Sequence, residues 1–165
     1  MKPGYSEDAI LIELPRIEEI RVQELDLRTA LEQRKTVRKY RDDPLIIEEL
    51  VYLLWCTQGV KRINSRPVTL RTVPSAGARH PFETYLLLNK VRGLKPGIYK
   101  YVALEHKLLA VNVESGLTDK VVKATGNQLF VGHSAVTFIW TADVCRMTWR
   151  YGERGYRYIH LDAGH

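Results

Sequence analysis

The sequence predicts an α+β fold in which a mostly antiparallel sheet is flanked by helices. Its 165 residues, of which 45% are apolar and 9% aromatic, are enough to bury one sizeable core, so residues 1–165 are expected to form a single domain. Segments with helical and strand spacing follow one another in a mixed order. This order differs from the regular alternation of strand and helix that is typical of a parallel sheet.

Two helices are predicted in the first third of the chain. The first covers Leu27–Arg34. The second follows Pro44, because four apolar residues then recur at the spacing of one helical face: Ile47, Leu50, Val51 and Leu54. Pro44 suits the first turn of this helix, since that turn does not need its missing amide hydrogen. The next segment, Val60–Ala78, mixes Gly, Pro, Ser and Arg and predicts a loop.

Strands are predicted in the middle of the chain and again in its last third. Thr84–Leu88 has strand character, and Ile98–Val102 with Leu108–Val111 predicts a hairpin. The run Ala135–Trp140 is apolar enough to predict a central strand that is covered on both faces.

Helices are predicted on either side of that central strand. Thr118-Asp119 can cap a short helix that ends at Gly126. From Arg150 onward the spacing becomes helical again, and Arg150, Arg154 and Arg157 would lie along one stripe.

The net charge favours anionic ligands. A formal charge of +6 would attract phosphate groups or nucleic acid, but acidic residues are interspersed nearly everywhere, which argues against nonspecific nucleic-acid binding. The first eight residues lack the apolar core of a signal peptide, and the longest apolar run is too short to cross a bilayer. We therefore expect a cytoplasmic protein without nucleic-acid or membrane partners.

Several common catalytic motifs are missing from the sequence. It contains neither a Gly-x-Gly-x-x-Gly dinucleotide signature nor a Walker-type phosphate loop, and no Gly-x-Ser-x-Gly elbow surrounds Ser75. The five histidines and two cysteines show no metal-ligand spacing. No metal is predicted.

The first block that carries chemistry runs from Arg34 to Arg41 and includes Lys35, Thr36 and Arg38. Two guanidinium groups present forked donors to a dianion such as a phosphate, and the hydroxyl adds a short neutral contact. Taken alone, a basic run is more often a solvated helix end.

The second block is the loop Pro74, Ser75, Ala76, Gly77 and Ala78, which continues to Pro81. Gly77 would allow the backbone to approach a flat ring closely, because it has no Cβ. An ordinary turn with a proline at each end explains the same residues.

The third block covers Thr148–Tyr158 and continues through Leu161–His165. Its interleaved Arg and Tyr residues could stack on nucleic-acid bases. Alternatively, Glu153 stands four residues before Arg157 and can pair with it along a helix. Just before the central strand, Asn127 or Gln128 offers an amide side chain, although a solvent-facing helix end accounts for it equally well.

Together these blocks resemble the nitroreductase superfamily, and within it the SagB-type dehydrogenases. The first block is similar to the family's Arg-x-Ser-x-Arg-x-Tyr, with Thr36 in place of the usual Ser. The second resembles Pro-Ser-Ala-Gly-x-x-x-Pro. The third is similar to Trp-Arg-Tyr-Gly-Glu-Arg followed by Asp-Ala-Gly-His.

The resemblance implies FMN as cofactor and a site shared between two subunits of a homodimer or higher homo-oligomer. Residues that would hold the phosphate and ribityl chain are Arg34, Lys35, Thr36 and Arg38. Residues of the loop that would line a flavin bound mainly by the other subunit are Pro74, Ser75, Ala76, Gly77 and Ala78. Asn127 or Gln128 would bond the polar edge of the ring.

The implied activity is hydride transfer through flavin N5, from NAD(P)H or another small organic donor to an electrophilic acceptor such as a quinone or nitroaromatic. No catalytic acid or base can be assigned. Relatives continue past the helix that contains Arg154, so the sequence is expected to be a truncated nitroreductase-like domain. The rival hypothesis is a flavin-free remnant that acts as a binding or assembly subunit.

Overall fold

The computed structural model describes residues 5–64 and 68–165. Its strands are β1 (Leu11–Glu13), β2 (Val60–Ile63), β3 (Thr69–Arg71), β4 (Phe82–Leu88), β5 (Gly97–Val102), β6 (Lys107–Asn112) and β7 (Val136–Ala142). Its α-helices are α1 (Leu27–Gln33), α2 (Ile47–Gln58), α3 (Leu117–Ala124), α4 (Leu129–His133), α5 (Val144–Tyr151) and α6 (Arg154–Gly164).

A five-stranded antiparallel sheet in the order β1-β6-β5-β4-β7 forms the centre of the fold. Helix α2 lies against it, with Leu50, Val51 and Leu54 fully buried in a cluster shared with the sheet. Burying each such side chain contributes roughly 1.5–3 kcal/mol. The α+β prediction is confirmed. Helix α2 covers the face of the sheet against which it packs and excludes water from it.

Three local predictions are also confirmed. Helix α1 begins at Leu27 as predicted, and the Asp26 side chain caps it by accepting a hydrogen bond from the backbone nitrogen of Thr29 at 3.0 Å. Strand β4 extends the predicted Thr84–Leu88 by two residues, and β5 with β6 forms the predicted hairpin.

The predicted loop Val60–Ala78 is wrong in part. Strands β2 and β3 pair as a separate two-stranded hairpin, and residues 76–78 form a 3-10 turn. Residues 65–67 of this segment lie outside the described ranges. The strands are short, β2 is mostly exposed and β3 is half-buried, and the sequence carries no apolar alternation by which to recognise them.

Pro44 does not start α2 as predicted. The helix begins at Ile47, and the Glu49 side chain accepts a hydrogen bond from the backbone nitrogen of Ile46 at 3.0 Å. Leu45 is instead extended and forms a parallel bridge with Val91. Tertiary pairing of this segment therefore displaces the helix start.

Strand β7 is not the central strand that its apolar sequence predicted. It pairs with β4 and lies at one edge of the described sheet, with Trp140 45% exposed. Helix α3 begins at Leu117, and its N-cap residue is Gly116, whose φ is +78°. Thr118 and Asp119 therefore lie inside the helix and do not cap it. The Thr118 hydroxyl donates to Asn89 Oδ1 at 2.7 Å and ties α3 to the end of β4.

The continuous helix predicted from Arg150 is two helices. Gly152, with φ +56°, ends α5, so Arg150 is on a different helix from Arg154 and Arg157. The short helix α4 was not predicted either. In residues 5–64 and 68–165, no helix has the length and apolar character that crossing a bilayer requires.

Candidate functional site

A carboxylate from α6 holds the loop of residues 74–78. Ser75 Oγ donates to Asp162 Oδ2 at 2.5 Å, and the backbone nitrogen of Ala76 donates to Asp162 Oδ1 at 3.0 Å. Ser75 Oγ also accepts a hydrogen bond from the backbone nitrogen of His80 at 2.8 Å. The second and third sequence blocks therefore meet at Asp162, and the Ser75 hydroxyl is occupied in shaping the loop.

Gly77 is required at the turn of this loop. Its φ of +58° is in the left-handed region that glycine adopts without steric cost. A Cβ at this position would lie 2.5 Å from Tyr151 Oη and 3.1 Å from Arg150 Nε. The end of α5 thus packs directly on the Gly77 backbone.

Arg146 and Glu83 fix the base of the loop. Arg79 Nε donates to the carbonyl oxygen of Arg146 at 2.9 Å, and Arg146 Nη1 donates to the carbonyl oxygen of His80 at 3.1 Å. Glu83 pairs with Arg146 at 2.5 Å and with Lys100 at 3.0 Å. Burial raises the pKa of Glu83, but the hydrogen bonds from Lys100 and Arg146 outweigh it and hold that pKa below its usual value.

A cavity of about 590 Å³ opens between the β2–β3 hairpin and this loop. The residues that line it are Lys61, Arg62, Thr69, Leu70, Arg71, Val73, Pro74, Ser75, Ala78 and His80. We call it the hairpin cavity. Three of the five predicted loop residues line its wall, which makes the loop accessible to a small molecule.

His80 is buried in the wall of the hairpin cavity with a strained backbone, since its φ is +45°. Burial, together with the positive charge of Arg71, lowers the pKa of His80 to about 4. The imidazole is therefore uncharged at neutral pH, although a hydrogen bond with the Thr69 backbone opposes part of the pKa shift.

The basic segment that follows α1 is exposed and has no regular secondary structure. Arg34, Lys35, Thr36 and Arg38 all face solvent, and none of these cations forms an ion pair within the described residues. The Arg38 guanidinium lies 5.8 Å from the centroid of the Phe130 ring in α4.

Asn127 and Gln128 lie in the turn immediately before α4, and both are exposed. Asn127 has φ +60°, a conformation that asparagine tolerates better than most residues. The contact between Arg38 and Phe130 therefore brings the predicted phosphate segment and the predicted amide segment to the same side of the molecule.

The loop and the basic segment lie at opposite ends of β4. The loop leads directly into β4 at Phe82, whereas Asn89, just after Leu88, donates through Nδ2 to the carbonyl oxygens of Val131 in α4 and of Ser134 at its C-terminus. Six residue steps along a strand span about 20 Å. Within a single chain, the two groups of predicted site residues therefore do not meet.

The third block builds the α5–α6 pair. Tyr151 packs edge-on against Tyr158 with ring centroids 4.6 Å apart, and Arg79 lies 5.1 Å from the ring centroid of Trp149, which is 79% exposed. Glu153 stands at the N-cap position of α6, where its side chain makes no capping hydrogen bond, and among the described residues it makes no ion pair with Arg157. The proposed pairing along a helix is therefore wrong.

Sequence reasoning gave no role to Asp162, Arg71 or His80. Asp162 was part of the third block, but its partner Ser75 is 87 residues away, and local spacing contains no signal for that contact. For Arg71 the sequence did contain a signal, because it lies among other cations in a stretch that has no acidic residue.

A model of the nitroreductase family matches residues 31–165 of the chain. The chain belongs to this family. A provisionally named nitroreductase of Methanocaldococcus jannaschii is 34% identical over 158 residues, an alignment that covers 96% of this chain and 75% of that protein. The predicted family and fold are thus confirmed, and nitroreductase membership supports an oxidoreductase.

Solved structures show the same fold. A provisionally named nitroreductase from Anabaena variabilis has a TM-score of 0.67 and 26% identity, covering 97% of this chain and 30% of that one. The E. coli microcin synthetase McbBCD complex with truncated pro-MccB17 bound has a TM-score of 0.61 and 19% identity, covering 99% and 57%. The chain therefore spans less than a third of the Anabaena protein.

In the part of this chain that the structure describes, no group of three or more His, Cys, Asp or Glu residues is arranged to hold a metal ion.

Proposed function

We propose that this nitroreductase-family chain is an FMN-dependent oxidoreductase whose flavin lies between two copies of the chain. One observation carries the proposal: the basic segment and the loop lie at opposite ends of β4, about 20 Å apart along the strand. A second copy in a symmetric dimer can bring its loop to the basic segment of the first.

The basic segment has the properties that a phosphate requires. Arg34, Lys35 and Arg38 have no carboxylate partner among the described residues, so their charges are free for a ligand. A guanidinium can grip phosphate oxygens in pairs, and the Thr36 hydroxyl adds a donor. Asn127 or Gln128, placed on the same side by Arg38 and Phe130, would bond the polar edge of the ring.

The loop has the properties that a flat ring requires. Its outer residues Pro74, Gly77 and Ala78 are exposed and carry little or no side chain, while Asp162 fixes Ser75 and Ala76 from behind. The loop is thus held in position before any ligand arrives, which lowers the entropy cost of binding.

When bound, FMN supplies hydride chemistry at N5, between NAD(P)H or an organic donor and an electrophilic acceptor such as a quinone or nitroaromatic. The chain's own residues bind and orient the group. The SagB-type branch remains part of the proposal, because the third block resembles the most specific motif of that branch.

The first experiment is a visible absorption spectrum of the purified protein. A flavin band, with FMN identified after release, supports the oxidoreductase. Bleaching of that band by the donor alone in stopped flow would support turnover in two half-reactions. Colourless protein that takes up no added FMN contradicts the proposal.

The second experiment replaces both arginines of the basic segment. Arg34→Ala with Arg38→Ala should strip the flavin and leave the free energy of unfolding within about 1 kcal/mol of wild type, because exposed charges contribute little. A control with the same charge change, Arg16→Ala with Arg21→Ala, alters two other exposed cations and should retain FMN. Full FMN occupancy in the Arg34/Arg38 variant would refute the phosphate assignment.

A second candidate function is a flavin-free subunit that acts by binding or assembly. Helix α1 favours it, because α1 contributes no buried residue and leaves Leu27 and Leu31 exposed. The absorption spectrum separates the two candidates, since only the oxidoreductase is yellow.

A further inference from the structure

The hairpin cavity lies in a part of the chain that has no acidic residue. Between Glu49 and Glu83 the sequence contains no Asp or Glu, and it carries five cations: Lys61, Arg62, Arg66, Arg71 and Arg79. Three of these line the hairpin cavity. The lining, in the residues that the structure describes, therefore contains three cations and no carboxylate, and Asp162, which is hydrogen-bonded to Ser75, is the carboxylate behind its wall.

Arg71 is the cation of the cavity that is most removed from water. Its Nη1 donates to Gln58 Oε1 at 2.7 Å, but its buried Nε has no hydrogen-bond acceptor within the described ranges. Glu83 is the nearest acidic influence on Arg71, and both of its oxygens are taken by Lys100 and Arg146.

This lack of a counter-charge does not depend on the undescribed residues. Every Asp and Glu of the chain lies in residues 5–64 or 68–165, and none of them pairs with Arg71 there. A partly buried guanidinium without a counter-ion is costly, and an oxyanion beside it would relieve that cost.

The remaining cavity residues fit the same ligand. Lys61 and Arg62 are exposed on β2 and add positive charge at the rim. His80 is uncharged at neutral pH and therefore adds no charge to the lining. A volume of about 590 Å³ has room for a small organic molecule and exceeds what a bare ion needs.

We propose that the hairpin cavity binds the carboxylate or phosphate group of a small organic molecule, with Arg71 as its main contact and Lys61 and Arg62 at the rim. Since Ser75 and Ala78 line the same cavity, the body of this molecule lies beside the loop that is proposed to contact the flavin. The bound molecule is thus the anionic substrate or donor of the enzyme. This assignment rests on the proposed function.

The test uses benzoate, phenyl phosphate and neutral benzyl alcohol as probes of the purified protein in isothermal titration calorimetry. At least one of the two anions should bind, and benzyl alcohol should bind at least tenfold more weakly. Preference for benzoate identifies a carboxylate site and preference for phenyl phosphate a phosphate site. Absence of binding by both anions at 10 mM, on the order of the weakest specific affinities, overturns the proposal.

Two variants place the probe in the cavity. Arg71→Gln should weaken anion binding about tenfold to a hundredfold, the effect of losing a charged hydrogen-bond donor. Lys61→Gln with Arg62→Gln changes only exposed side chains, so it keeps the test decisive if Arg71→Gln does not fold, and it should weaken binding several-fold. Arg16→Gln with Arg21→Gln is the control. Unchanged affinity in a folded Arg71→Gln protein, or in the Lys61/Arg62 variant, overturns the site.

The outcomes separate this proposal from the flavin assignment. Anion binding by protein that takes up no FMN keeps the cavity site and removes the flavin. Yellow protein that binds no anion keeps the flavin assignment and removes the cavity site. Loss of FMN itself from Arg71→Gln would overturn the inference, because the cavity would then hold the flavin phosphate.

Discussion

His80 is expected to make the stability of the fold depend on pH. It is buried beside Arg71, and burial, with the charge of Arg71, lowers its pKa to about 4 from an unperturbed value near 6.5. The fold therefore prefers the neutral imidazole. Its contribution to stability is complete above about pH 6.5 and is lost as the pH falls towards 4, because the unfolded chain then binds a proton that the folded chain does not.

We predict that His80→Asn flattens this pH dependence. Asparagine tolerates the positive φ of position 80, so the backbone is retained. Between pH 7 and pH 4, wild type should lose about 3 kcal/mol more of its free energy of unfolding than the variant. Urea unfolding at several pH values measures this. The exposed His160→Asn is the control, and equal slopes in wild type and His80→Asn would contradict the assignment.

Gly77 offers a second prediction at the scale of one residue. Gly77→Ala should lower the free energy of unfolding by about 1–3 kcal/mol, because it adds a contact with Tyr151 to the strain of a positive φ. Gly93→Ala is a matched control, since Gly93 has φ +81° but no atom within 4 Å of an added Cβ. Equal losses in the two variants would show that close packing by α5 is unimportant.

At the scale of an element, α1 is a helix without a buried face. Its leucines Leu27 and Leu31 stand four residues apart and are 75% and 66% exposed. Most helical stability in proteins comes from packing of an apolar face. We expect α1 to pack that face against the partner subunit in the proposed oligomer, and against a different protein if the chain is the flavin-free subunit.

We predict that Leu27→Ser with Leu31→Ser shifts the protein from dimer towards monomer while leaving unfolding of the sheet unchanged. Analytical ultracentrifugation over a concentration series measures the shift. Arg28→Ser with Glu32→Ser removes an exposed ion pair from the same helix and should leave the dimer intact. A leucine variant that sediments like dimeric wild type would exclude α1 from the interface.

At the scale of the whole molecule, the proposed site requires two chains. Arg34→Ala with Arg38→Ala damages one half-site, and Gly77→Ala damages the other. A heterodimer of the two variants contains one site with both halves intact, so it should regain about half of the wild-type FMN content under the symmetric-dimer arrangement. Differently tagged chains allow the heterodimer to be isolated and its flavin absorbance measured.

Two results would argue against a shared site. Either variant homodimer could bind a full complement of FMN, or the heterodimer could bind none although it is stable. The first would make one half-site dispensable. The second would place both halves in the same chain.

The elements that could be predicted from the sequence are those with strong local patterns. Helix α2 has four apolar residues on one face, and β4 to β6 combine apolar runs with turn residues. The sequence blocks also identified the family. By contrast, the short β2–β3 hairpin has no apolar alternation, and the break at Gly152 depends on a backbone conformation that helical spacing in the sequence does not reveal.

Sequence alone determined which residues of this protein carry charge, hydroxyl groups and glycine, and therefore which kinds of ligand they could bind. Only the tertiary structure decided their neighbours. It placed Asp162 on Ser75, left Arg71 without a carboxylate, and separated the basic segment from the loop along β4. The physical reason is that local patterns reflect near neighbours in the chain, whereas these contacts arise from packing between elements that are far apart in sequence.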